Sequence, residues 1–123
     1  MRIDLPSGAW VEVRDNLNAD DYYAVQGAVD VEVSSDGSGA SVARLPGNHQ
    51  LRRQDALLAE IITGWSYTEQ GIPVPSQNAA GAAAIRSVIG GGGKLDDYRE
   101  LADAVEPLVE KVNPSRRPNS RKP

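Results

Sequence analysis

The residues able to do chemistry are few. One histidine, His49, lies in the polar run Gly47-Asn-His-Gln50, and there is no cysteine. With these side chains a transition-metal site would need carboxylates alone, and the carboxylates are explained in other ways. Asp20-Asp21 and Asp96-Asp97 each fall where a helix should begin, and there negative charge and short side-chain acceptors satisfy free backbone amides. Gly90-Gly-Gly-Gly-Lys94 resembles a phosphate cradle only superficially. A phosphate-binding loop needs a glycine five residues before its Gly-Lys pair and a hydroxyl residue after it, and those positions hold Val88 and Leu95. The sequence therefore predicts no catalytic residue, no metal and no cofactor, and Gly90 to Gly93 read as a linker between helices.

The remaining candidates are apolar. Leu51, Leu58, Ile61, Ile62 and Trp65 recur at helical spacing, which predicts a helix from about 48 to 66 with one buried stripe, Trp65 at its end in the core. Pro73 and Pro75 then hold the chain extended. Tyr67, Ile72 and Val74 lie beyond the helix on this stiffened segment and are the candidate partner-binding residues, because an exposed apolar patch without catalytic parts marks an interaction surface.

The other elements follow from pattern. Arg2 to Leu5 and Ala9 to Arg14 alternate around Pro6-Ser7-Gly8 and predict a β-hairpin; if Val11 and Val13 point inward, Trp10 falls on the polar face. Asn18 with Asp21 three positions later predicts a helix over about 19 to 28. Val29, Val31 and Val33 alternate with acids, so a short strand competes at its end, and Ser34 to Ser41 has loop composition. Ala79 to Ile85 is helix-permissive but nearly featureless. A last helix is predicted from Asp97, with Glu100 completing a capping box and Tyr98, Leu101, Val105, Leu108 and Val112 forming a seam. Pro107 lies off that seam and either kinks the helix or starts another. The expected class is α+β: an N-terminal hairpin followed by a mainly helical domain of three to four helices.

Charge divides the chain in two. Residues 1 to 112 carry nine basic and seventeen acidic side chains, whereas residues 113 to 123 carry four basic and no acidic ones. The first part reads as a single domain whose acidity disfavours nucleic acid and anionic lipid. The second, with three prolines and no large apolar residue, reads as a disordered basic tail. No apolar run approaches the roughly 20 residues of a membrane-spanning helix. The absence of cysteine is compatible with a reducing cytosol.

Three stretches, Trp10 to Leu17, Leu57 to Tyr67 with Ile72 to Ser76, and Leu95 to Leu101 with Val105 to Lys111, resemble in order and spacing the tail assembly chaperones of long-tailed, siphovirus-like phages of actinobacteria. The Ala-rich stretch 79 to 84 and the four glycines depart from that pattern. The resemblance implies a non-enzymatic protein of the host cytoplasm, not part of the mature virion. It implies as partners the tape measure protein, whose apolar helices it keeps soluble, and the tail tube protein. It leaves oligomeric state open, a homo-oligomer included, and implies no small-molecule substrate, no membrane and no cofactor. The family often makes a second, longer product by ribosomal slippage, and a slippery heptamer is one way to encode Gly93-Lys94. Two other classes fit the residues: a structural virion component such as a head-to-tail connector or tail-completion subunit, and a small regulatory protein whose basic tail touches nucleic acid.

Overall fold

The structure, a computed structural model, describes residues 1–28, 32–35, 41–44 and 48–112. The predicted tail, residues 113–123, lies outside the described residues, as do Val29 to Val31 and most of the predicted 34 to 41 loop.

Strands β1 (Arg2–Asp4) and β2 (Trp10–Val13) form the expected hairpin, with Ile3 opposite Val11. Ile3, Leu5, Val11 and Val13 face the core and leave Trp10 on the outer side, half-buried, with the Arg2 guanidinium 4.9 Å from its ring centroid. Helix α1 (Ala19–Gln26) opens on a reciprocal cap: the Asn18 side chain accepts the Asp21 amide at 3.2 Å, and the Asp21 carboxylate accepts the Asn18 amide at 2.9 Å. Strands β3 (Glu32–Ser35) and β4 (Ser41–Arg44) pair antiparallel as a separate two-stranded sheet. Ser34, Ser35 and Ser41, read from composition as loop, are thus ladder residues.

Helix α2 (His49–Ile61) stops five residues earlier than its periodicity predicts, and the chain continues directly as β5 (Ile62–Trp65). β5 pairs antiparallel with β2, Trp65 opposite Val11, and closes a three-stranded sheet of order β1-β2-β5. Two β-branched residues followed by glycine favour extended backbone, and the open edge of β2 supplies the hydrogen bonds a further helical turn would have made. The predicted stripe is accordingly divided. Leu58 and Ile61 are buried from the helix, Ile62 and Trp65 from the strand, and Leu51 is 48% exposed.

After a 3-10 turn over Ser66–Gln70, helix α3 (Ala79–Ile89) begins at Asn78, whose side chain accepts the Gly81 amide at 3.1 Å. Helix α4 (Leu95–Val112) begins two residues before the predicted start and runs as one helix through Pro107. Asp97 is therefore not its cap. Its buried carboxylate accepts the Ser7 amide at 3.0 Å and the Ser7 hydroxyl, which ties the first turn of α4 to the tip of the hairpin. Leu101, Val105, Leu108 and Val112 enter the core as the seam predicted, with Tyr98 half-buried at its start. The class is α+β, with sheet and helices sharing one hydrophobic core.

Candidate partner-binding site

The proline-stiffened segment folds back onto the body rather than standing off it. Tyr67 is 4% exposed and packs edge-on to Trp65, ring centroids 5.3 Å apart, with the Lys94 ammonium 5.0 Å from its centroid on another side. The carbonyl of Ile72 accepts the Trp65 indole N–H at 3.1 Å, which brings Ile72 against the core, half-buried. Pro75 is buried and Val74 is 39% exposed. The expectation that Tyr67, Ile72 and Val74 form one presented patch is thus corrected for geometry: an indole N–H needs an acceptor when its ring is buried, and satisfying it draws the segment inward. Of the three, Val74 has the most surface.

The other sequence candidates occupy structural positions. His49 is the first residue of α2 and partly covered. Gly92 and Gly93 take left-handed φ of 64° and 85° in the turn between α3 and α4, and Lys94 donates to the Val88 carbonyl at 3.2 Å. The lysine thus points back at the C-terminal turn of α3, where a cation is favoured. Among the described residues no group of three or more His, Cys, Asp or Glu side chains is placed to hold a metal ion, and no helix is long and apolar enough to cross a membrane.

A surface concavity lies elsewhere, a groove of about 760 Å³ where α1 and α3 both pack on α2. Its lining is small and apolar in the middle, with Ala24 from α1, Ala56 from α2, and Ala79, Ala82 and Ala83 from α3. Tyr23, 81% exposed, stands at the α1 side. Three side chains anchor the walls. Arg14, leaving β2, donates to both carboxylate oxygens of Asp21 at 2.7 and 2.9 Å and to the Glu60 carbonyl at 3.2 Å, so the first turn of α1 meets the last turn of α2. Gln77 donates to the same Glu60 carbonyl at 3.2 Å, and Arg86 to Asp55 at 3.0 Å, so α3 runs back along α2. The α3 wall is antiparallel to the floor.

The charges of the groove are segregated by this arrangement. Asp20 and Glu60 fall at the end where α1 and α3 begin, and Arg52 at the other, beside Arg86, whose charge is paired with Asp55. The Arg14 guanidinium holds the Asp21 carboxyl below its ordinary range. Glu60 is pushed up by partial burial and by the neighbouring Asp21 and Asp20 charges. Asp55, buried at the basic end, also accepts the Tyr98 hydroxyl at 2.6 Å. Burial pushes Asp55 up against the lowering effect of its two donors, and burial with the adjacent carboxylate pushes the Tyr98 phenol well above its usual value.

Sequence reasoning did not single out this groove. The signal was present as alanines at helical spacing, Ala79, Ala82 and Ala83 leading to Arg86, and as Arg52, Ala56 and Glu60 four residues apart. An alanine stripe reads as mere helix propensity until neighbouring helices make it the wall of a groove. Comparison with protein-family models, curated proteins and solved structures gives no match.

Proposed function

We propose that this protein is a tail assembly chaperone of long-tailed actinobacterial phages: a non-enzymatic protein of the host cytoplasm that binds the tape measure protein, keeps it soluble and promotes assembly of the tail tube. The observation that carries the reading is the order and spacing of the three stretches between Trp10 and Lys111 that resemble that family. The fold accords with it. An apolar-floored groove between helices suits an amphipathic helix, and an acidic body resists self-association while apolar surface is open.

Co-expression with the phage's tape measure protein tests the proposal. The tape measure protein should be insoluble alone and recovered in a soluble complex with this chain. Failure to bind or solubilise it defeats the assignment. Recovery of this chain in stoichiometric amount from purified particles would make it a virion component instead.

A further inference from the structure

We propose that the α1–α2–α3 groove seats one amphipathic helix of a partner protein, and that its segregated charges fix the direction in which that helix lies. This rests on reading the groove as the partner site, and it adds orientation and composition to that reading. Between Arg52 and Glu60 the floor spans about 12 Å at 1.5 Å per residue, room for two helical turns. The alanines of the floor and walls let a helix approach closely enough for its larger apolar side chains to fill the space between α1 and α3. Tyr23 adds the aromatic surface typical of an anchoring contact.

Charge complementarity selects the occupant and its polarity. Asp20 and Glu60 at one end favour basic side chains, and Arg52 at the other, where Arg86 is already paired with Asp55, favours acidic ones. A helix with acids in its first turn and bases in its last, the usual arrangement, satisfies both ends only with its C-terminus beside Asp20 and Glu60. It then runs antiparallel to α3 and parallel to α2, whose dipoles oppose each other, so the direction is set by the side-chain charges. A second copy of the chain is a poorer occupant: the domain carries seventeen acidic against nine basic side chains, and the apolar faces of α2, α3 and α4 are already in its core.

The experiment uses the isotope-labelled full chain and an 18-residue synthetic helical peptide with a Leu/Ala stripe, Glu in its first turn and Lys in its last, carrying a nitroxide at one end or the other. Amide shifts should concentrate at Tyr23, Ala56 and Ala82, and a C-terminal nitroxide should broaden the amides of Asp20 and Glu60. The Asp20→Asn/Glu60→Gln variant, which removes charge without removing packing, should weaken binding about three- to tenfold at low salt while its urea midpoint stays near that of the parent. Tyr23→Ala should weaken it by a similar factor. The inference is overturned if no groove amide shifts at about 1 mM peptide, or if the C-terminal nitroxide broadens Arg52 and Arg86 instead. It is equally overturned if the groove amides respond to protein concentration alone, which makes a second copy the occupant, or to deletion of residues 113–123, which makes the chain's own tail the occupant. Failure on any of these grounds leaves the tape measure co-expression result standing, since that experiment reads contact through any surface.

Discussion

Arg14 and Asp21 meet through two parallel hydrogen bonds, 2.7 and 2.9 Å, with the aspartate side chain fully buried and the arginine mostly covered. The pair joins the end of β2 to the first turn of α1, and the same guanidinium reaches the Glu60 carbonyl at the end of α2. Three elements thus converge on one side chain. Asp21→Asn should destabilise the fold by about 2 kcal/mol, because it leaves a mostly covered guanidinium without its counter-charge. Urea unfolding measures it; a loss under about 0.5 kcal/mol would place the pair among ordinary surface bridges.

Acid should act through the same group. The folded-state pKa of Asp21 is lowered by Arg14, so its contribution is complete above the unfolded value of about 3.9 and disappears as pH falls through the lower folded value. Asp55 works in the opposite sense: its folded pKa is raised by burial, so its stability term declines as pH rises from the unfolded value through the folded one. Thermal melts between about pH 6 and about pH 2 should show a steeper final acid loss in the parent than in Asp21→Asn. Equal slopes would mean that Asp21 is not the group being titrated.

Gly81 should tolerate no side chain. A Cβ there would lie 1.7 Å from the Ser76 carbonyl oxygen, where the proline segment crosses the start of α3. Gly81→Ala should cost more than about 2 kcal/mol, although alanine is the better helix former, because backbone rather than a flexible side chain must move. A neutral or stabilising result by urea unfolding would show that the segment can shift aside.

Ile72 and Val74 should separate. Ile72→Ser removes an apolar side chain that packs on the core and should lose about 1 to 2 kcal/mol, whereas Val74→Ser should change stability by less than about 0.5 kcal/mol. If Val74→Ser nonetheless reduces recovery of soluble tape measure protein, the proline segment supplies part of the contact. Equal stability losses at both positions would contradict the burial difference.

A chain ending at Val112 should melt within a few degrees of the full chain. Val112 is buried, its carbonyl accepts the Gln26 amide group at 3.3 Å, and the seam of α4 is complete at that residue. The residues beyond it bring only exposed-type side chains, whose ion pairs are worth about 0 to 1 kcal/mol. Differential scanning calorimetry checks this, and a large drop would show that Arg116, Arg117, Arg121 or Lys122 is docked.

The sequence by itself determined the features that depend on neighbours along the chain. The Asn18 cap, the hairpin around Pro6-Ser7-Gly8 and the Leu101–Val105–Leu108–Val112 seam follow from local hydrogen bonding and from periods of two and 3.6 residues. Tertiary structure decided whatever depended on a competitor for the same atoms. Ile62 to Trp65 continue a helical pattern, but the edge of β2 offers backbone partners to Ile62, Gly64 and Trp65, so they became a strand. Asp97 had the spacing of a cap and was drawn instead to Ser7, ninety residues away. Tyr67 and Ile72 had the composition of a presented patch, but Ile72 is drawn inward by the indole N–H of Trp65 and Tyr67 packs edge-on to its ring. The groove is the extreme case, since its alanines acquire meaning only when Arg14, Gln77 and Asp55 set α1 and α3 on either side of α2.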